Sequence, residues 1–328
     1  MARLAIVRPP SIDATAIGSV LAGGLRAQVG GSEAALLIAP VVGDAFVLGA
    51  YQRAASTLDL AHPAVRDRAL TRRATGGVAL HVRSGQLLVV LDLASASVLG
   101  GNGDPGRAIN RHVRPLLAAL AKLGVPATYG GRDFVVAAGA PVAWVGVTHD
   151  RALGSIGLEM SLAIDAPFGV DPALDLAHGS IAPRWLGKTP GTLVASAHRA
   201  LSVASIVEGM VDAWSEQAEG DAVEGTAPSF SAIAAAREER PFDALVEEGM
   251  GLIGAAREVD HFAIGGELMA TRGALEGLGH ALHGVADDGL DAVIDAALGP
   301  TSGAMLFGVK SLRSIAKVVR AARAATSG

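Results

Sequence analysis

The stretch from Thr71 to Gln86, TRRATGGVALHVRSGQ, holds the densest chemistry in the chain. Arg72 and Arg73 stand side by side ahead of Gly76 and Gly77, a strand pattern runs to His81, and Arg83 to Gln86 form a turn around Gly85. Arginine presents a rigid forked donor to carboxylate or phosphate, and adjacent glycines let backbone N–H groups approach an anion. The pattern predicts a site for a small anionic molecule. A solvated basic loop with a glycine turn is the alternative reading of the same spacing.

Working outward, Val78 to Val82 and Leu87 to Leu93 read as the two strands of a hairpin, and Ala34 to Val42 and Ala45 to Gly49 as buried strands before it. Asp13 to Ala27 has helical spacing, and Arg111 to Leu123 places Val113, Leu116, Leu117, Leu120 and Leu123 on one helical face after a glycine-rich loop, Gly100 to Gly106. Strand patterns follow at Ala127 to Tyr129, Phe134 to Ala138, Val142 to Thr148 and Ser155 to Ile164, and residues 196–215 look helical. Beyond them the chain turns acidic and small, with Glu216, Glu219, Asp221 and Glu224. That shift marks a linker over 216–240, between a first domain, 1–215, and a second, 241–328. In the second, helices are expected at Ala244 to Ile253, Arg272 to Leu282, Leu290 to Leu298 and Leu312 to Ala325, with a strand at His261 to Leu268. The fold class is α+β.

Composition narrows the function classes. The 328 residues are 50% hydrophobic and 18% charged, so the chain folds, and its length exceeds the ~250 to 300 residues at which single cores stop growing. A net charge of −5 argues against a nucleic-acid surface. No apolar run is long enough to span a membrane, and the N-terminus lacks a secretory pattern, so a cytoplasmic location is expected. There are no cysteines, which removes disulfides, thiolate metal sites and cysteine nucleophiles. Phosphate-loop, HExxH, EF-hand and GxSxG signatures are absent. Among nine histidines only His280 and His283 share helical spacing, and surface placement is expected there rather than a metal site.

In this setting the residues resemble the lipoate–protein ligases, whose motif has the form RRxSGGGAVYHDxGN and follows a segment of the form VxLGxxQ. Here Val47-Leu48-Gly49-Ala50-Tyr51-Gln52 stands about twenty residues before Arg72-Arg73-Ala74-Thr75-Gly76-Gly77-Val78-Ala79-Leu80-His81. LGVPATYGGRDFVV at Leu123 to Val136 is similar to the family's LG(V/I)xAxxxGRNDI, and Ile264 to Gly284 is similar to its accessory domain. The resemblance implies a mixed-sheet catalytic domain of the biotin and lipoate ligase class with a small α+β accessory domain. It implies ATP, with Mg, and lipoate or octanoate as ligands, combined to an acyl-adenylate, and a lipoyl carrier domain as partner. It assigns Arg72, with Arg73 beside it, to the acyl and phosphate site, and Gly76 and Gly77 to the adenylate loop. His81 matches the histidine closing the strand, Gly85 the turn glycine, and Asp133 the aspartate of the ND pair.

The departures fall on the chemistry. The family's lysine, whose ammonium neutralises charge developing on the acyl carbonyl and α-phosphate, corresponds here to Pro141 or Ala140. Arg132 replaces the asparagine before Asp133, and the YHD triplet is Leu80-His81-Val82. The four lysines, Lys122, Lys188, Lys310 and Lys317, all lie elsewhere; Arg132 and Lys188 are the candidate substitutes. A cysteine-based acyl-enzyme, which octanoyl transferases of this fold use, is unavailable. Trp144 and Trp185 read as pocket walls or as core. Lys310, Arg313, Lys317, Arg320 and Arg323 form a basic stripe that either docks an acidic partner or is a solvated helix face. Two functions remain: a lipoate- or acyl-protein ligase with a relocated cation, or a catalytically degenerate relative that binds an acyl ligand or a carrier as a partner or regulatory subunit.

Overall fold

The computed structural model describes residues 3–131, 133–168, 188–198, 200–219, 221–235, 237–247 and 251–325. Arg132 and Trp185 lie outside them.

Apolar runs in the first half pair into one large sheet. Its strand order is Ala222–Glu224, Leu4–Val7, Ala34–Val42, Gln86–Leu93, Ser155–Ala163, Ala140–Asp150, Phe134–Ala137 and Ala127–Tyr129. The first two pairings are parallel and the rest antiparallel, so the sheet is mixed. The period-2 alternation of strand side chains separates two cores. Leu36, Ile38, Val89 and Leu91 point to a layer made by the helices Ala108–Lys122 and Val203–Gln217. Leu37, Leu88 and Val90 point the other way, to the residues that lead into the arginine-glycine stretch.

On that second face a small sheet forms, ordered Ala69–Arg72, Asp44–Leu48, Leu80–Arg83. The expected hairpin of Val78 to Val82 with Leu87 to Leu93 does not occur. Gln86–Leu93 has both edges occupied by Ala34–Val42 and Ser155–Ala163, so Leu80–Arg83 pairs with Asp44–Leu48 instead. Gly85, at φ 91°, makes the change of sheet, and its carbonyl accepts the amides of Ile164, Asp165 and Ala166. A side chain at that position would collide with Asp165.

Three further readings change. The helix expected over residues 13–27 breaks at Gly23-Gly24, where Gly24 sits at φ 68°. That over 196–215 divides into Leu193–Ser196 and Val203–Gln217, the second opening on a capping box between Ser202 and Ser205. The helix expected at Ala244 to Ile253 is two strands, Ala244–Glu247 and Leu252–Arg257, paired antiparallel with each other and, through the second, with Phe262–Gly266. Three strands bury Ile253 and Ala255 against the helices Ala274–Ala281, Leu290–Leu298 and Arg313–Ala325, and that burial outweighs local helical preference. Of the expected linker, Ala222–Glu224 extends the large sheet beside Leu4–Val7, and the Ala235 amide bonds the Leu70 carbonyl. The acidic stretch follows the first domain because the edge of Leu4–Val7 offers it unpaired backbone groups.

No helix among the described residues is long and apolar enough to cross a membrane.

Candidate functional site

The segment Gly49 to Gln52 packs on the loop Thr75 to Gly77. The Ala50 amide donates to the Thr75 carbonyl at 2.9 Å, and a side chain at Gly49 would strike the Gly77 carbonyl. The loop also meets the second unit: the Gly77 amide, at φ 95°, donates to the Leu268 carbonyl at 2.9 Å, and a Cβ on Gly76 would collide with that same carbonyl. Tyr51 ties the same junction, donating its hydroxyl to the Ala270 carbonyl at 3.0 Å and accepting the Gly266 amide at 2.8 Å.

The two arginines diverge because successive side chains on a strand face opposite ways. Arg72 turns outward, donating to the Gln52 carbonyl and pairing with Glu239 at 2.6 Å. Arg73 turns inward and is buried, with Nη2 donating to the Gly76 and Val78 carbonyls at 2.9 and 2.6 Å and Nη1 to the Val47 carbonyl at 3.2 Å. Its guanidinium carbon lies 3.8 Å from the centre of the fully buried Trp144 ring, a cation–π contact. Burial lowers the Arg73 pKa to about 10, against the opposing pull of Glu159, Asp133 and Glu267.

Among the described residues the site therefore sets one internal cation in the field of three buried carboxylates. Glu159 is 1% exposed, accepts the Thr75 hydroxyl and amide through Oε2, and leaves Oε1 without a hydrogen-bond partner among the described residues. Burial raises its pKa, with the Thr75 bonds and the Arg73 charge pulling the other way. Sequence reasoning missed Glu159. The signal was present: it is the one charged residue in Ser155–Ala163, a strand otherwise of small and apolar residues. A cavity of about 110 Å³ opens beside the carboxylates, walled by Tyr129, Asp133, Glu267, Met269 and Phe307. Burial, followed by the Asp133 charge, drives the Tyr129 phenol upward in pKa, so it stays a neutral donor.

Of the residues expected in one site, Arg73, Gly76, Gly77 and Asp133 come together, while Arg72 faces away. His81 lies in the small sheet, its Nε2 2.7 Å from Asp44 Oδ1 and its ring stacked 4.9 Å from Phe46, and Gly85 serves the turn already described. The strand Ala140–Asp150 carries Pro141 buried, its carbonyl accepting the Gly191 amide at 2.9 Å. Lys188, three residues before Gly191, is exposed. Trp144 is a wall of the site and a core residue at once.

The remaining sequence candidates resolve elsewhere. His280 meets His261 rather than His283, with ring centroids 4.7 Å apart, and Asp260 is 2.8 Å from His261 Nδ1; these three exposed or half-buried side chains are the one convergent group of metal-type ligands among the described residues. The basic stripe is partly neutralised, Arg320 reaching Asp291 at 3.6 Å and Arg323 pairing with Asp287.

Asp133 and Glu267 line the cavity of about 110 Å³, no cation is among its described lining residues, and the Gly77 amide that would face an anion is already bonded to the Leu268 carbonyl.

No family model matches the sequence, and no curated protein matches it. Solved structures do. P. falciparum LipL1 in complex with lipoate aligns over 97% of this chain and 98% of its own, at a TM-score of 0.66 and 9% identity. A bi-partite lipoate protein ligase of Thermoplasma acidophilum, described with its E2 lipoyl domain, aligns over 69% of this chain and 87% of its own, at 0.54 and 16%. Protein Ta0514 of the same organism, with bound lipoic acid, gives 0.52 and 15% over 69% of this chain and 89% of its own. With the mixed sheet, the small sheet and the glycine junction already in place, these likenesses give the chain the fold of the lipoate–protein ligases.

Proposed function

We propose that this chain is a catalytically degenerate member of that fold, which engages a lipoyl carrier domain or its acyl group as a partner and does not form an acyl-adenylate. The observation that carries the reading is the closure of the motif on itself: Arg73 is held by backbone carbonyls and Trp144, and the Gly77 amide by Leu268. Adenylation needs preorganised donors and cations where phosphate charge develops, and losing one such donor costs about 10²- to 10³-fold in rate. Here Pro141 stands where the cation is expected, and two carboxylates, Asp133 and Glu267, face the space. The partner is inferred from the T. acidophilum ligase, described with an E2 lipoyl domain. On this reading residues 1–215 form the ligase-like domain and 241–328 the accessory domain, with 216–240 between them.

The test is incubation of the full chain with ATP, Mg, lipoate or octanoate, and an apo lipoyl domain. No change in carrier mass and no pyrophosphate are expected, while calorimetry shows carrier binding. One observation favours the second reading, a ligase with a relocated cation: the loop that reaches the Pro141 carbonyl through Gly191 also carries exposed Lys188. A carrier mass gain of one acyl group, lost in Lys188→Ala, would establish that reading and end the first.

A further inference from the structure

The glycine-rich loop Gly100 to Gly106 leads directly into the helix Ala108–Lys122, and the two enclose a groove of about 630 Å³. Sites for small molecules span roughly 300–1,000 Å³. Gly100, Arg107, Arg111, Arg114, Leu117 and Tyr129 line it, and no carboxylate is among its lining residues. The arginine spacings of four and three put the three guanidinium groups on one side of the helix.

These cations are available in a way that Arg72 and Arg73 are not. Among the described residues Arg107 meets only Asp104, at 3.3 Å in a solvent-exposed pair. Arg111 lies across Gly100, where any side chain would collide with its guanidinium, and its Nε is buried without a hydrogen-bond partner among the described residues. Arg114 is exposed and has no ion pair or hydrogen bond among the described residues. Two planar forks beside a glycine loop match the tetrahedral, multi-oxygen geometry of a phosphoryl group. Leu117 and the Tyr129 ring add an apolar wall next to them.

We propose that this groove binds a phosphorylated small molecule, its phosphoryl oxygens held by Arg111 and Arg114 and its body laid along Leu117 and Tyr129. A concave site with three arginines in a chain of net charge −5 suits a compact anion better than an extended polyanion. Tyr129 also walls the cavity beside Asp133, so an occupant of the groove would touch a side chain of the ligase-like cleft.

Calorimetric titration of the full chain with inorganic pyrophosphate, and separately with adenosine monophosphate, tests this. Saturable binding of at least one probe is expected, weakened by about tenfold or more in Arg111→Gln/Arg114→Gln, since each charge-assisted bond lost is worth that much. Arg313→Gln, which removes an exposed charge on the C-terminal helix, leaves it unchanged. Thermal melting checks that the double variant folds, and the single Arg114→Gln serves if it does not. No saturable heat at millimolar probe, unchanged affinity in the arginine variants, or an equal loss in Arg313→Gln would each overturn the proposal.

Discussion

Residues 72–77 and 100–114 carry the same ingredients, arginines and glycines, and the fold puts them to opposite uses. In the first, Arg73 is buried under Trp144 and the glycines seat against the Leu268 carbonyl; in the second, Arg114 is exposed and Gly100 only makes room for Arg111. A glycine next to an arginine therefore reports either a close approach by the protein's own backbone or a place for a ligand. Which of these holds depends on whether another segment reaches the donors first.

Removing the buried cation gives the largest effect. Arg73→Met removes the buried charge that acts on Glu159, Asp133 and Glu267 and the donor to the Val47, Gly76 and Val78 carbonyls, and hydrogen bonds from a charged group are worth about 1.5–3 kcal/mol each. Urea unfolding should show that loss, while Arg114→Met on the open groove shifts stability by less than about 0.5 kcal/mol. Comparable costs at both positions would erase the contrast.

The inner face of the groove's helix supplies a pH dependence. His112 is buried, and burial followed by the Arg111 charge lowers its pKa from 6.5 to about 4. The folded-state value is depressed, so the unfolded chain takes up the proton first. The stabilisation is then complete above pH 6.5 and is lost as the pH falls to 4, by about 3 kcal/mol over that window. In His112→Gln the acid slope of stability between those pH values should flatten.

Glycine substitution separates the two regions more finely. Gly76→Ala drives a Cβ into the fixed Leu268 carbonyl and should cost about 1–3 kcal/mol. Gly106→Ala meets, among the described residues, the Asp104 side chain at 3.1 Å, which needs to give only slightly and can keep its bond to the residue-106 amide, so its melting temperature should stay close to that of the unaltered chain. The smallest effect belongs to Arg72→Gln, which removes a partly exposed pair with Glu239 and should cost about 1 kcal/mol or less in the same denaturation series.

Much of the fold was legible along the chain. The strands Ala34–Val42 and Gln86–Leu93 and the helices Ala108–Lys122, Leu290–Leu298 and Arg313–Ala325 follow from apolar periodicity, because each buries a full face against one neighbour. The reading failed where the partner decides. Ala244–Glu247 and Leu252–Arg257 carry a helical pattern but gain antiparallel neighbours, and Leu80–Arg83 found a different sheet because both edges of Gln86–Leu93 were taken. The candidate site divides in the same way. The motif pointed to Arg73, Gly76, Gly77 and Asp133, which the structure brings together, but not to Glu159, a lone charge in its strand whose neighbours only the fold supplies.

By itself the sequence determined the absence of a thiol, the absence of a lysine in the strand Ala140–Asp150, and the order of segments that resembles a ligase. Those are matters of residue identity, and no folding alters them. Only the tertiary structure decided that Arg73 serves backbone carbonyls of its own chain and that the Gly77 amide serves Leu268, while Arg111 and Arg114 keep donors facing a groove. A donor's availability depends on what lies within about 3 Å of it: the turn that follows Arg73 closes on its guanidinium at the Gly76 and Val78 carbonyls, and the Gly77 amide meets Leu268, a residue from the far end of the chain.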